Sequence, residues 1–308
     1  MLTSFFSKSR PINFVVVALY ILVFFIIANS SGPAGSGFLF VLEKLGVLLV
    51  LLMSVFLLNF VSKRNELTTR NAYKTILFAA FICMFLAALR NDAAILANLL
   101  VLLALRRIIS LRTQRDTIQK IFDATFWIGI ASVFYFWSIL FLFLVYFGIL
   151  VHEGYRFKNW LVPVVSLLVL FSIVTSIDLL ITDSFYTFSD WFVASNFDFS
   201  YYREPLVLIP LALLLALTVW ATFVYLGVIQ KASANTKTSL FIILLFTLVS
   251  MTVAVLAPTK NSSELIFFFA PLAIIVTNYF QVSEDKWFRE ILLWVVLLLP
   301  VVLVLFFA

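Results

Sequence analysis

One histidine and one cysteine in 308 residues close off most of the chemistry that imidazole and thiol clusters perform. With His152 alone there is no HExxH pair, no zinc cluster of histidines, no bis-histidine haem ligation and no histidine relay. With Cys83 alone no intrachain disulfide can form, and its place in an apolar run reads as a small buried hydrophobe. Neither GxxxxGK[ST] nor GxGxxG occurs, so nothing suggests a nucleotide-driven pump. Charge is scarce as well: Asp, Glu, Lys and Arg make up 12% of the chain, about half the usual share. No metal and no cofactor are expected.

What is abundant is apolar. The chain is 64% hydrophobic with a mean hydropathy of +1.15, against roughly 45 to 50% apolar residues in a soluble domain. No water-soluble fold covers that much apolar surface. The 36 Phe, 7 Trp and 10 Tyr suit lipid contact and aromatic belts at the two interfaces. The net charge of +6 therefore reads as topology-setting Lys and Arg facing anionic headgroups, not as a nucleic-acid footprint.

Apolar segments run over about 12 to 28, 38 to 62, 75 to 89, 93 to 105, 122 to 151, 160 to 181, 205 to 229, 239 to 257, 265 to 280 and 291 to 307. Lys8 and Arg10 before the first of them imitate a secretory signal, and we read the segment as a retained membrane helix. The run 122 to 151 would be about 45 Å long as one helix, too long for one upright span and too short for two full ones. Charge decides. If it is a hairpin of two short helices bending near Ala131 to Trp137, 17 of the 21 Lys and Arg fall in loops 1 to 11, 63 to 74, 106 to 120, 152 to 159, 230 to 238 and 281 to 290. Three fall in 29 to 37, 90 to 92, 182 to 204 and 258 to 264. One long helix would put positive loops on both sides. The reading is thus an all-α bundle of about eleven crossings, one integral-membrane domain over residues 1–308 with no soluble domain, in a bacterial inner membrane, with the amino terminus cytoplasmic and the carboxyl terminus periplasmic.

Charges at membrane depth are costly enough to mark function by default. They gather toward the outer side: Glu43 and Lys44, Arg90 and Asp92, Asp178, Arg203 and Glu204, and Lys260 and Glu264. The near balance of five acids and four bases suggests an ion-paired or lipid-phosphate cluster, with Arg90, Asp92, Asp178, Arg203 and Lys260 its core, beside the alternative of scattered charges snorkelling to water. Asp123 is expected to pair with Lys120 or to cap its helix. Pro163, Pro210, Pro271 and Pro300 permit kinks that could line a cavity. The loop 182 to 204, dense in Phe, Tyr and Trp, reads as a segment lying in the outer interface, and 106 to 120 as a basic topology anchor.

The opening Thr3-Ser4-Phe5-Phe6-Ser7-Lys8-Ser9-Arg10-Pro11-Ile12-Asn13 resembles that of an uncharacterised integral-membrane family of Bacteroidota. Residues 70 to 170 carry a second resemblance. The short helix pair around Arg90-Asn91-Asp92, the Leu-Ala-Leu-Arg-Arg end at 103 to 107, and Phe126-Trp127-Ile128-Gly129-Ile130-Ala131-Ser132-Val133-Phe134-Tyr135 look like the short-helix core of C-type glycosyltransferases, which use polyprenyl-phosphate sugars. Those enzymes carry an acid in a long first outer loop. Here 29 to 37 has none, and Glu43 is the one candidate base.

The reading that follows is a non-catalytic inner-membrane subunit, associated with an envelope glycosylation or secretion machine through membrane lipids and a protein partner. The alternatives are a polyprenyl-phosphate-dependent glycosyltransferase, with Glu43 as base and Arg203 or Lys260 on the lipid phosphate, and a lipid or small-solute transporter. No convincing internal repeat favours the transporter.

Overall fold

The computed structural model describes residues 2–30, 37–154 and 156–307, and among them there are helices and no strands. The expected outer position near 33 lies outside the described residues. In chain order the helices are α1 (Leu2–Phe6), α2 (Pro11–Asn29), α3 (Phe38–Arg64), α4 (Tyr73–Cys83), α5 (Leu86–Arg90), α6 (Asp92–Ser110) and α7 (Thr117–Phe134). They continue as α8 (Leu142–Glu153), α9 (Phe157–Thr182), α10 (Phe188–Trp191), α11 (Pro205–Lys231), α12 (Ala234–Leu256), α13 (Ile266–Val282) and α14 (Lys286–Phe307).

Eight helices among the described residues are long and apolar enough to cross a membrane. This is a membrane protein. Two expected segments are shorter, α4 with α5 and the stretch of 3-10 helix Phe136–Phe141 with α8, and α7, with its 18 residues, is not among the eight. Their shortness is affordable because they are packed in protein. All 11 residues of α4 are buried, and it lies against α13, of whose 17 residues 15 are buried. Edge-to-face Tyr73 and Phe280 and stacked Phe85 and Phe269 join them. At Met84–Phe85 the chain leaves helical geometry between α4 and α5 while both side chains stay buried, a break that hydrocarbon tolerates only where protein encloses it.

The hairpin exists. Tyr135 is extended at the end of α7, and the chain returns through Phe136–Phe141 into α8. At the bend the Trp191 indole donates to the Ser132 carbonyl at 3.1 Å and packs edge-on to Phe136. At the open end the Gln114 amide donates to the His152 carbonyl at 3.3 Å. Two ends of the bundle are thereby distinguished. At one, Glu290 accepts from the amides of Leu2 and Thr3, Ala72 donates to Phe6, and Thr69 donates to Gln281. We call it the basic end, since the cation-rich loops meet there. At the other, the aromatic end, Arg90 reaches Ala28, Lys44 reaches Asp92 and Asn91 reaches Ser263.

Asp123 pairs differently from expectation. Its carboxylate meets Arg107 at 2.8 Å, bridging α7 to α6, and Lys120 bonds Ser110 and Thr113 instead. A partner on the neighbouring antiparallel helix is nearer than one on the same turn.

Candidate functional site

The aromatic end holds an open depression of about 530 Å³ lined by Ala87, Arg90, Asn91, Asp92, Tyr201 and Asn261. Its geometry follows from a helix junction. Arg90 closes α5, where a cation suits the carbonyl end of the helix dipole, and its Nε donates to the Ala28 carbonyl at 2.6 Å. Asn91 caps α6 by accepting from the Ala94 amide at 3.0 Å. Asp92 then supplies an acid in the first turn and binds Lys44 of α3 at 2.5 Å.

Behind this junction lies Glu264, 0% exposed in the 3-10 turn that leads into α13. One carboxylate oxygen accepts from the Tyr202 hydroxyl, while the other has no hydrogen-bond partner among the described residues. Burial, reinforced by the Glu264 charge, pushes the Tyr202 hydroxyl well above its ordinary titration range. Lys260 sits in the same loop. Its ammonium donates to the Ala254 and Val255 carbonyls at 2.7 and 2.6 Å, closing the end of α12, and lies 5.0 Å over the Phe199 ring. Burial lowers its pKa, and the Glu264 carboxylate opposes that shift.

The residues singled out from sequence are therefore only partly brought together. Arg90 and Asp92 line one depression, and Lys260 lies in the loop beside Asn261. Arg203 is exposed, within electrostatic reach of Asp198. Asp178 stands apart near the end of α9, where its side chain accepts from Thr182. Glu43 is exposed at the start of α3, has no hydrogen-bond or ion partner among the described residues, and lines no cavity described here. Pro163, Pro210, Pro271 and Pro300 lie inside α9, α11, α13 and α14 with buried rings, and none borders these cavities. The aromatic loop does roof one groove. Tyr186 and Trp191 close an apolar slot of about 270 Å³ between α7 and α9.

Sequence reasoning missed a polar cleft at the basic end. About 670 Å³ in volume, it is walled by Glu66, Arg112, Gln114, His152, Ser233, Thr236 and Thr238, from four stretches far apart in the chain. Glu66 and Gln114 both take left-handed backbone, with φ of 55° and 50°, a conformation uncommon for such side chains. The one available signal was that three cation-rich loops share a side.

Residues 1–308 match the family described as a family of unknown function, DUF6427, and the chain belongs to it. No curated protein and no solved structure matches the chain.

Proposed function

We propose that the chain is a non-catalytic subunit of a machine in the bacterial inner membrane, acting in envelope glycosylation or secretion, with its amino terminus in the cytoplasm and its carboxyl terminus in the periplasm. The observation that carries this reading is the state of the candidate catalytic group. Glu43 stands exposed, with no hydrogen-bond or ion partner among the described residues and lining none of the cavities above, whereas a general base needs a substrate held within hydrogen-bond reach. The charges around it close or link helix ends: Arg90 on α5, Asp92 on α6 and Lys260 on α12. A second observation supports a protein partner. Only 11% of the α9 span and 22% of the α14 span are buried within the chain, and α9 carries Ser172 and Ser176 on exposed turns. Their hydroxyls bond back to the Leu168 and Ser172 carbonyls of the same helix, so what they offer a further helix is small residues at which backbones can approach closely.

Complementation of a deletion strain tests it. Glu43→Gln should leave function in the cell intact. Val295→Gln and Leu298→Gln, at half-exposed positions of α14, should release the partner while the protein level stays normal. Loss of function with Glu43→Gln, at normal level and with partner association preserved, overturns the subunit reading in favour of a polyprenyl-phosphate-dependent glycosyltransferase.

A further inference from the structure

We propose that the cleft at the basic end is a binding site for a phosphate group, borne by a small phosphorylated solute or by a lipid headgroup. The inference does not depend on the subunit reading, because it rests on the arrangement of one cation.

The stretch 106 to 120 contains five Lys and Arg. Three of them have structural partners. Arg106 lies 5.2 Å over the Phe60 ring, Arg107 binds Asp123, and Lys120 bonds Ser110 and Thr113. Arg112 has no hydrogen bond, ion pair or ring partner among the described residues, yet it is half-buried in the cleft wall. A cation that only fixes topology needs water or headgroups around it. Arg112 instead faces a concavity shared with the hydroxyls of Ser233, Thr236 and Thr238. The Thr236 hydroxyl lies 3.0 Å from the Ser233 hydroxyl and 3.2 Å from the Ser233 carbonyl, so this pair is held in place and turns its protons toward an anion only when one is bound. A guanidinium fork with nearby hydroxyl donors is the side-chain set that matches a tetrahedral oxyanion, the fork binding two oxygens and hydroxyls the rest.

Charge complementarity selects the sign of the ligand. Loops 63 to 74, 106 to 120 and 230 to 238 hold 11 Lys and Arg against two acids, Glu66 and Asp116. Lys74 is buried and Arg107 is bound to Asp123, Arg112 and Glu66 line the cleft itself, and the remaining cations lie around it. Such a surface concentrates anions. Size selects more. The cleft's 670 Å³ falls within the roughly 300 to 1,000 Å³ of small-molecule sites and exceeds what a bare phosphate fills. Glu66 in the same wall is placed to accept from a hydroxyl on the remainder of the ligand, and it disfavours a dense polyanion.

The test uses the full chain in mild detergent and in nanodiscs. Glycerol 3-phosphate is titrated calorimetrically, with sulfate and chloride at matched ionic strength as controls. In parallel, nanodiscs of phosphatidylglycerol or phosphatidylcholine compete for the site. Saturable binding of glycerol 3-phosphate, stronger than that of sulfate, identifies a solute site, and competition by phosphatidylglycerol alone identifies a headgroup site. Either supports the proposal if Arg112→Gln weakens binding about tenfold or more, the effect of losing charge-assisted hydrogen bonds. Thr236→Val should weaken it several-fold and guards against a folding defect in the first variant. Arg115→Gln, an exposed cation of the same loop outside the cleft wall, should change affinity by less than about twofold, as rim charges do. The proposal is overturned by absence of saturable binding in both arms, by equal affinity in Arg112→Gln, or by an equal loss in Arg115→Gln, which would mean a diffuse basic surface.

Discussion

Replacing Tyr202 by phenylalanine removes one oxygen and with it the hydroxyl that bonds Glu264. Glu264 is 0% exposed, so water cannot take the donor's place. A hydrogen bond to a charged group contributes about 1.5 to 3 kcal/mol, and Tyr202→Phe should lower stability by that amount. Glu264→Leu should cost at least as much, because it strands the Tyr202 hydroxyl and removes the counter-charge near Lys260. The double variant loses both partners together, so its cost should fall short of the sum by about 1.5 to 3 kcal/mol. Tyr135 provides an internal control. Its hydroxyl is buried without a hydrogen-bond partner among the described residues, so Tyr135→Phe should be neutral or slightly stabilising. Reversible unfolding in mixed micelles measures all four. Additivity of the Tyr202 and Glu264 effects to within about 0.5 kcal/mol would refute the coupling and with it the view that this buried carboxylate anchors the aromatic end.

In a Cys83→Ala background, cysteines at Thr113 and Arg70 should be shielded from an external thiol reagent in intact cells and one at Asp190 should react; external labelling at Thr113 would overturn the orientation. At Gly129 a Cβ would come within 2.4 Å of Leu170 Cδ2 and 3.3 Å of Leu167 Cδ2, so Gly129→Leu should cost about 1 to 3 kcal/mol by overpacking α7 against α9. Leu170→Ala in the same chain should recover part of that loss in thermal unfolding, and no recovery would mean that the helices separate rather than clash. Lys260 has a folded-state pKa below its ordinary value, so between the two the unfolded chain holds more protons and stability rises with pH. Lys260→Met should therefore show a shallower rise in stability from neutral toward pH 10 than the parent chain, and an unchanged slope would count against a buried ammonium.

The helices were legible because hydrocarbon leaves the backbone no other way to satisfy its amides and carbonyls, so every apolar run had to be helical. The grouping of loops at two ends was legible because Lys and Arg alternate between loop sets, and a hairpin near Ala131 to Trp137 followed from that alternation alone. The break at Met84–Phe85 was not, since both residues are apolar and the surrounding α13 that makes the break tolerable comes nearly 200 residues later in the chain. Nor was the Arg107–Asp123 pair. Periodicity ranks partners on the same helix and says nothing of the antiparallel neighbour.

Charge at a helix end is ambiguous in a membrane protein for a physical reason. Helix dipoles, the need for unpaired backbone groups to be capped, and the exclusion of ions from hydrocarbon all drive charged side chains to the same few residues at each interface, whatever the protein does. The order Arg90-Asn91-Asp92 shows it: a cation ending one helix, an amide capping the next and an acid in its first turn each have a partner within the fold, although one Asp92 oxygen has none among the described residues. Gathering of charge is thus weak evidence for a site, and the expectation of a cluster built on Arg90, Asp92, Asp178, Arg203 and Lys260 drew on little else. The stronger sign is a charge that the fold leaves unanswered in a concave place. Arg112 meets that criterion although its loop looked like an ordinary anchor: Glu66 shares the cleft wall but makes no ion pair with it among the described residues, Asp116 lies outside the wall, and Asp123 is bound to Arg107.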